Sequence, residues 1–380
     1  MKFCFICPEY PEGPHGGIGT YTQQTAKELS ALGHQIRIIG VYPKSYPAPD
    51  YEENGNIKIW RLRVGNGKFG WIIPWIYQFR IIKKWVNEND IDLIEAPDSR
   101  GWYAFWGKLK VPIILRFHGS QTYIASILKK KPNQLTRLLE KLSYQRADAL
   151  SSVSEFNAAT TANLFNISKP IKVIYNGIKT IQLSNVERDK FHIVFAGTLA
   201  EYKGILDFLN ALRLLANEEV NFKASIYGKD AKIDSKNASE YINDFSIEPV
   251  LQGKITYYGS VKISELMDIY QRATVAVFPS HVESFGLAPV EAMMCECPVI
   301  FTNNTTGHEI IEDKRDGVLV SPKKPIEIKE AVQFLLNNPE SASEIGKRGR
   351  QKAILKFSIQ NQVDQSILFY NNCLQQFYNK

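Results

Sequence analysis

The sequence predicts an α/β protein of two domains, each built around a parallel sheet. Its 380 residues are more than one compact core usually holds. Short segments rich in Ile, Leu and Val alternate with amphipathic stretches along nearly the whole chain, as is typical of parallel strands joined by crossover helices. The alternation stops at the polar stretch 184–190 and starts again at Phe191, so two such domains are expected.

The predicted elements follow this alternation in order. In the first half, strands are predicted at 2–7, 35–41, 57–62, 92–95, 112–116, 149–153 and 171–174, with helices at 18–32, 75–88 and 155–165. In the second half, strands are predicted at 191–196, 222–227, 255–258, 275–278, 298–301 and 318–320. We assign residues 1–182 to an N-terminal domain and residues 183–357 to a C-terminal domain. We expect a final helix, 358–380, to pack back onto the first domain.

Composition indicates a cytoplasmic globular protein. Hydrophobic residues make up 44% of the chain, and no apolar run approaches the roughly 18 residues that span a bilayer. The apolar start, residues 1–8, is too short for a signal peptide and fits a buried first strand. Five cysteines argue against a disulfide framework. Cys4 and Cys7 lie within the predicted first strand, so we expect buried structural thiols and not a redox pair.

The formal net charge of +7 is distributed unevenly. Residues 1–182 carry 24 Lys and Arg against 14 Asp and Glu, whereas the remainder carries 22 against 25. A basic N-terminal half indicates an anionic partner, such as a membrane surface or a lipid phosphate. The stretch 68–86 mixes aromatic with basic residues, and the run 129–131 is basic. They could lie against anionic lipid, or form a core helix flanked by solvated charges. No nucleic-acid-binding module is found, so no nucleic-acid partner is expected.

The strongest motif is residues 279–292, between a predicted strand and a helix that begins near Leu287. A helix start offers free N–H groups and the positive end of the dipole, which suits a phosphate, and Gly286 lets a ligand approach the backbone closely. Glu283 and Glu291 flank this anion site, and a carboxylate accepts hydrogen bonds from paired sugar hydroxyls. For either glutamate alone, a surface loop or a carboxylate favoured by the dipole is an open alternative.

The spacing Glu-x7-Glu within this motif resembles the signature of glycosyltransferase family 4. That family has the GT-B fold, two facing Rossmann-like domains with a deep interdomain cleft. The resemblance extends along nearly the whole chain and implies an acceptor-binding N-terminal domain and a donor-binding C-terminal domain. It also implies that Glu291 binds the ribose hydroxyls of the nucleotide and that Glu283 contacts the transferred sugar. The implied backbone contacts to the sugar or diphosphate come from the donor loop Ser284, Phe285, Gly286 and Leu287.

Two further motifs belong to the predicted N-terminal domain. The loop 16–19 is rich in glycine and lies between the first strand and the first helix, where backbone can approach a phosphate, although a simple turn is an alternative. The resemblance implies that Gly17 touches the donor phosphate and the acceptor. His118 lies just past the predicted strand 112–116, at the end where ligands bind in open α/β sheets. By the resemblance, it lies near the hydroxymethyl group of the donor sugar.

The segment 195–204 is again a strand, a loop and a helix start. A lysine there, Lys203, could neutralise a diphosphate leaving group as a point charge. The family pattern is similar to Gly-Arg-Leu-x-x-x-Lys-Gly, with both basic residues on the diphosphate. Gly197 and Lys203 match this pattern, but Thr198 stands where the arginine is expected. Gly228 and Val261 fall at strand ends where the family places the nucleotide base.

The function expected from these motifs is retaining transfer of a hexose-type sugar from a nucleotide-diphosphate sugar to a glycan or glycolipid, in cell-surface polysaccharide synthesis. His118, Lys203 and Glu283 are the expected catalytic residues. No metal is expected to be required, since no His/Cys/Asp cluster has ligand spacing and the pair Asp90 and Asp92 opens a strand. The alternatives are a nucleotide-sugar epimerase of the same fold, a dinucleotide oxidoreductase and a non-catalytic sugar-nucleotide binding protein.

Overall fold

The structure, a computed structural model, describes residues 1–13, 15–67 and 70–379. Over these residues the chain forms two compact units. The N-terminal unit comprises Met1–Lys179 and the last helix, which begins at Ile359, and the C-terminal unit comprises Thr180–Ser358. Each unit has its own largely parallel sheet and its own hydrophobic core.

In the N-terminal unit the strands order as β3-β4-β2-β1-β5-β6-β7-β8. These strands are β1 (Lys2–Ile6), β2 (Gln35–Tyr42), β3 (Tyr51–Asn54), β4 (Ile57–Arg63), β5 (Leu93–Pro97), β6 (Ile113–Phe117), β7 (Ala149–Ser152) and β8 (Ile171–Val173). The helices are α1 (Gly17–Ala31), α2 (Ile72–Asn87), α3 (Gln121–Ile127), α4 (Gln134–Arg146) and α5 (Glu155–Phe165). Over the described residues, neighbouring strands of this sheet pair in parallel, except that the edge strand β3 is antiparallel to β4.

In the C-terminal unit the main sheet orders as β13-β10-β9-β14-β15-β16, and β11 and β12 form a small hairpin. The strands are β9 (His192–Ala196), β10 (Lys223–Tyr227), β11 (Lys232–Ile233), β12 (Lys236–Asn237), β13 (Ile255–Tyr257), β14 (Val275–Phe278), β15 (Val299–Thr302) and β16 (Val318–Val320). The helices are α6 (Ile205–Asn217), α7 (Ala238–Ser246), α8 (Ile263–Arg272), α9 (Leu287–Met294), α10 (Gly307–Ile310), α11 (Pro325–Asn337) and α12 (Pro339–Phe357), and the chain then enters α13 (Ile359–Tyr378).

The last helix, α13, packs into the N-terminal unit through a close approach and a buried network. A Cβ atom on Gly177 would lie 2.5 Å from the Cα of Ile359, so only glycine fits there. Further along the helix, the hydroxyl groups of Tyr370 and Tyr21 donate to the two carboxylate oxygens of Glu95, at 2.7 and 2.8 Å. Helices α13 and α1 therefore each supply a hydrogen-bond donor to a buried carboxylate of β5.

The predicted strands are confirmed, because each corresponds to a strand of the structure within a residue or two. The edge strand β3 was not predicted: its sequence Tyr-Glu-Glu-Asn is polar and mostly exposed, and it is held by backbone pairing to β4. Helices α3 and α4 were also not predicted. Their N-terminal caps, Ser120 and Asn133, each accept a backbone N–H bond from the first helical turn.

The expected state of the cysteines is confirmed, since all five are buried and unpaired. Burial raises the pKa of both Cys4 and Cys7 to about 12, which leaves them as inert thiols at neutral pH. Within the described ranges, none of the helices combines the length and the apolar character needed to cross a bilayer.

Candidate active site

The residues predicted for donor binding lie in loops that follow neighbouring strands of the C-terminal sheet. Gly228 follows β10, Gly197 follows β9, and Glu283 follows β14, while Val261 lies between β13 and α8. Strands β13, β10, β9 and β14 are consecutive in the sheet and run parallel, so their carboxyl ends share one edge. The structure therefore brings these loops together at the edge where open α/β sheets bind ligands.

Two of these loops meet through glycine. A Cβ atom on Gly228 would lie 1.8 Å from the carbonyl oxygen of Gly197, and Gly228 has a φ of 138°. The N–H of Gly197 donates to the carbonyl of Tyr227 at 3.0 Å. Beside them the ring of Tyr258 stacks on that of Tyr227 at a centroid distance of 5.0 Å and stays 56% exposed. Backbone atoms and one flat aromatic surface thus form the region where a nucleotide base is predicted.

Lys203 and Glu283 form an ion pair, with 2.7 Å between Nζ and Oε1. The pairing depends on close packing of the loops after β9 and β14. A Cβ atom on Gly204, whose φ is 79°, would lie 2.1 Å from the carbonyl oxygen of Pro279. The predicted diphosphate cation and the predicted sugar-binding carboxylate are therefore direct neighbours in this structure. In this structure the cation and the carboxylate neutralise each other.

The donor loop ends at the N-terminus of α9. Gly286 is the N-terminal cap, with a φ of 110°, and no side chain caps the helix there. The carbonyl of Phe285 accepts a hydrogen bond of 2.6 Å from the hydroxyl of Thr306, which fixes the loop against the segment before α10. Leu287 is the first helical residue, and it follows Ser284 and Phe285 directly. The N–H groups of this turn and the helix dipole thus favour an anion at this place.

Glu291 lies on α9 and is 7% exposed. Desolvation by burial raises the pKa of its carboxyl group to about 7. In the described part of the chain no protein group donates a hydrogen bond to this carboxylate, and its oxygen atoms keep some contact with solvent. The side chain therefore carries an unmet capacity to accept hydrogen bonds, which hydroxyl groups of a ligand could satisfy.

Thr198 is exposed, directly after Gly197, and offers a hydroxyl where the predicted pattern has a cation. Sequence reasoning also missed two contacts around this edge. His281 Nε2 lies 2.6 Å from a carboxylate oxygen of Asp207 on α6, which anchors the loop after β14. Neither this pair nor the contact of Thr306 could be found from sequence spacing, because both join segments that are distant in sequence.

In the N-terminal unit, His118 follows β6 and its ring lies 4.9 Å from that of Tyr21 on α1. Its backbone N–H donates to Asp98 Oδ1 at 2.9 Å. Desolvation by burial, together with nearby Arg116, holds the pKa of His118 well below its ordinary value. The imidazole is therefore neutral at pH 7, so one ring nitrogen can donate a hydrogen bond and the other can accept one.

Gly17 is the first residue of α1 and is exposed. The structure places its helix beside His118 through Tyr21. A carboxylate that the sequence did not indicate, Glu9, accepts the N–H of Gly19 at 3.0 Å. An acidic group thus already uses one donor of the helix start where a phosphate contact was predicted. Over residues 1–13, 15–67 and 70–379, no group of three or more His, Cys, Asp or Glu is placed to hold a metal ion.

Comparison with known proteins gives matches along nearly the whole chain. The family described as glycosyltransferase family 4 matches residues 15–182, and the family described as glycosyl transferases group 1 matches residues 179–352. A curated relative is an uncharacterized glycosyltransferase of Methanocaldococcus jannaschii. It is 25% identical, and the match covers 97% of this chain and 98% of the relative.

Two solved structures have a similar fold at low sequence identity. Sucrose-phosphate synthase from Thermosynechococcus elongatus matches with a TM-score of 0.85 at 19% identity, over 100% of both chains. HepE from Anabaena, solved in complex with UDP and glucose, matches with a TM-score of 0.75 at 16% identity, over 98% of this chain and 100% of its own. The predicted fold class is thereby confirmed.

Proposed function

We propose, from the premise that this chain belongs to the family 4 type of glycosyltransferases with the GT-B fold, that it moves a hexose-type sugar from a nucleotide-diphosphate sugar to a glycan or lipid-linked glycan. The transfer proceeds with retention of configuration and serves cell-surface polysaccharide synthesis. The chain is a transferase enzyme. Its relatives do not favour the alternative of a nucleotide-sugar epimerase.

The unpartnered carboxylate of Glu291 is the observation that carries the proposal. It is buried, it lies on the helix whose N-terminus can bind a diphosphate, and it suits a pair of ribose hydroxyls. Support for a nucleotide ligand also comes from HepE, which shares the fold and was solved with UDP and glucose. The donor site then consists of Glu291, the turn 284–287, and the glycine-lined loops at Gly197 and Gly228.

In the proposed reaction the bond between the anomeric carbon and the diphosphate oxygen breaks, and a bond to the acceptor hydroxyl oxygen forms on the same face. The leaving diphosphate takes the proton of the acceptor. Lys203 and the N-terminus of α9 stabilise the charge that develops on the diphosphate. Glu283 holds sugar hydroxyls, and neutral His118 orients the sugar from the N-terminal unit. Catalysis is then mainly positioning and stabilisation of the leaving group.

The acceptor side is proposed to lie in the N-terminal unit, with the protein in the cytoplasm and peripheral at the inner face of the membrane. The excess of basic residues in the first 182 positions supports this placement, because anionic lipid attracts basic surfaces. Co-sedimentation with phosphatidylglycerol vesicles that weakens as salt rises is the expected result. Equal binding to phosphatidylcholine vesicles would contradict it.

The test of the function is to incubate the pure protein with a panel of UDP-, GDP- and ADP-sugars and measure released nucleoside diphosphate. One donor is expected to be hydrolysed slowly without acceptor, and Glu291→Gln is expected to bind that donor at least about tenfold more weakly. The exposed Glu330 on α11 supplies a matched control, Glu330→Gln, which is expected to behave as wild type. An isomerised donor with no released diphosphate would support the epimerase instead.

Metal independence is part of the proposal. Activity is expected to persist after dialysis against EDTA, because charge stabilisation is assigned to Lys203 and to a helix N-terminus. Loss of activity on EDTA treatment that is restored by Mg²⁺ or Mn²⁺ would show this assignment to be incomplete.

A further inference from the structure

A cavity of about 420 Å³ opens in the N-terminal unit, outside the donor loops described above. It is lined by Val64, which follows β4, by Arg100 and Trp102, which follow β5, and by Gln121 at the start of α3. These positions place it at the carboxyl edge of the N-terminal sheet. Its volume is within the range of about 300–1,000 Å³ that is typical of small-molecule sites.

Aromatic side chains form one wall of this cavity. The rings of Trp71 and Trp75 meet edge to face at 6.3 Å, and those of Trp75 and Phe105 do so at 6.0 Å. The indole N–H of Trp75 donates to the backbone carbonyl of Trp102, so its polar atom is already satisfied. The wall therefore presents mainly apolar surface to an occupant, although the buried indole N–H of Trp102 has no hydrogen-bond partner among the described residues.

The opposite wall comes from α4, and hydrogen-bonding side chains are few on either side. Leu135, Thr136 and Leu139 line the cavity from this helix. A Cβ atom on Gly101 would lie 2.4 Å from the backbone of Leu139, so the turn after β5 packs directly on α4. A site for a free sugar needs several convergent hydrogen-bonding groups. This lining suits a hydrocarbon chain better.

Apolar surface continues outside the cavity. Trp71, Phe105 and Leu135 line it and are also exposed, Leu135 to 61%. Helices that contribute to the cavity carry further exposed apolar side chains, namely Ile73, Ile76 and Tyr77 on α2, Ile124 on α3 and Leu138 on α4. Contiguous exposed apolar surface marks an interaction site, and Trp71, Phe105 and Leu135 supply such surface at the cavity.

The segments around the cavity are mainly basic. Residues 70–87 and 98–140 carry eleven Lys and Arg, against two acidic residues, Asp98 and Glu140, which are both buried. Arg100 lines the cavity with a left-handed φ of 62°, and over the described ranges no hydrogen bond or ion pair engages its guanidinium group. Lys129, Lys130 and Lys131 are exposed in the loop between α3 and α4. The charge therefore complements an anionic head group and repels a cationic one.

We propose that this cavity binds the hydrocarbon chain of a phosphate-bearing lipid, the lipid that carries the acceptor glycan. The inference rests on the proposed transferase function, and it assigns the class of the acceptor. Asp98, which holds the backbone of His118, immediately precedes the turn that bears Arg100. A lipid anchored in the cavity with its phosphate at Arg100 thus has its head group on the sheet edge that also bears His118.

The test uses dodecyl phosphate, kept dispersed below its micelle concentration, and the fluorescence of the full-length protein. All six tryptophans lie between residues 60 and 106, and three of them line the cavity, so the signal reports on this unit. Saturable binding is expected, at least about tenfold tighter than that of dodecyltrimethylammonium. Inorganic phosphate is not expected to displace the lipid, because it lacks the chain.

Matched variants locate the site. Leu135→Glu places a carboxylate at the cavity and is expected to weaken binding at least about tenfold. Leu368→Glu makes the same change at a leucine of similar exposure, 63%, on α13 and is expected to bind within about twofold of wild type. A second variant, Thr136→Phe, fills the cavity without charge and is also expected to weaken binding.

Three results would overturn the proposal. They are equal binding by Leu135→Glu and wild type, equal affinity for the ammonium and phosphate amphiphiles, and binding to phosphatidylglycerol vesicles with none to dispersed dodecyl phosphate. The last result would indicate adsorption of the basic surface alone. Failure of the transferase function gives a different pattern, in which no sugar nucleotide binds while dodecyl phosphate still does.

Discussion

At the scale of single residues, burial of Glu291 sets the pH at which its carboxyl group ionises. Ionisation is in turn expected to set its affinity for a ligand. Burial raises its pKa to about 7, so the group is largely protonated at pH 6 and largely ionised at pH 8. The ionised form accepts hydrogen bonds from both ribose hydroxyls. We therefore expect affinity for an intact sugar nucleotide to increase by about tenfold between pH 6 and pH 8.

Isothermal titration calorimetry at pH 6, 7 and 8 measures this change. The sugar nucleotide is the appropriate ligand, since the terminal phosphate of a free nucleotide itself titrates near pH 6. Burial holds the pKa of His118 well below its ordinary value, which moves its titration away from that of Glu291. Glu291→Gln is expected to show a flat pH profile. A slope that persists in this variant would assign the titration to another group.

The same carboxyl group affects stability. Its pKa is raised in the folded state above the ordinary value of 4.5, so its contribution favours folding below that value and is lost as pH rises through about 7. Without ligand, Glu291→Gln is expected to be more stable than wild type by about 1–3 kcal/mol at pH 8, with a smaller difference at pH 5. Urea unfolding at the two pH values measures this, with Glu330→Gln as the control.

The pair of Lys203 and Glu283 gives a kinetic prediction. Lys203→Ala removes the cation proposed to stabilise the leaving diphosphate and is expected to lower kcat by about 100-fold, with a smaller effect on KM. Lys223 begins β10, at the opposite end of a neighbouring strand. Lys223→Ala therefore serves as the control, because it removes a lysine away from the donor loops. If both variants keep the wild-type kcat, the diphosphate is stabilised by other groups.

At the scale of elements, the close approach of two loops depends on Gly228. An alanine there would place a Cβ atom 1.8 Å from the carbonyl oxygen of Gly197, so the loops must separate. Gly228→Ala is expected to lower the free energy of unfolding by about 2 kcal/mol or more and to weaken donor binding. Gly253→Ala, also at a positive φ but with open space around it, is expected to cost about 1 kcal/mol and leave donor binding unchanged. Thermal unfolding and donor titration measure both effects.

The sequence predicted elements and loop positions well, because both depend on local patterns. Apolar runs mark the parallel strands, and Gly286 and Gly228 mark turns that no other residue fits. The partners of the site residues could not be predicted. Lys203 meets Glu283, and Glu9 meets the N–H of Gly19, only after separate loops have packed together.

Elements with polar or mixed sequences were also hard to predict, because their structure depends on neighbouring elements. Strand β3 is short and mostly polar, and it is held by its pairing with β4 through backbone bonds, the ring contact of Tyr51 with Trp60 and the ion pair of Glu53 with Lys58. For the stretch that contains α2, the sequence left open a core helix and a surface that lies against lipid. One side of this helix is buried, at Gln78, Ile82 and Trp85, while its first turns expose Trp71 and Ile73. Lys68 and Phe69, which begin the predicted aromatic and basic stretch, lie outside the described residues.

At the scale of the whole molecule, the N-terminal unit is completed by the last segment of the chain. Helix α13 follows the entire C-terminal unit in sequence, yet it supplies a hydrogen-bond donor to the buried Glu95 of β5. The N-terminal unit therefore cannot reach its final packing without α13. Changes in α13 are therefore expected to lower the stability of the N-terminal unit and to leave donor affinity unchanged.

Tyr370→Phe tests this dependence. The change removes one of the two hydroxyl donors to the Glu95 carboxylate and leaves the other, from Tyr21, in place. An under-satisfied buried carboxylate is expected to destabilise the N-terminal unit by about 1–3 kcal/mol.

Tryptophan fluorescence during urea unfolding reports this unit alone, since the tryptophans lie between residues 60 and 106. Tyr378→Phe is the control: it removes only an exposed hydrogen bond of 3.5 Å to the carbonyl of Lys110 and is expected to lie within about 0.5 kcal/mol of wild type. Donor affinity is expected to be unchanged in both variants, and equal unfolding curves for the two would show that α13 adds little to this unit.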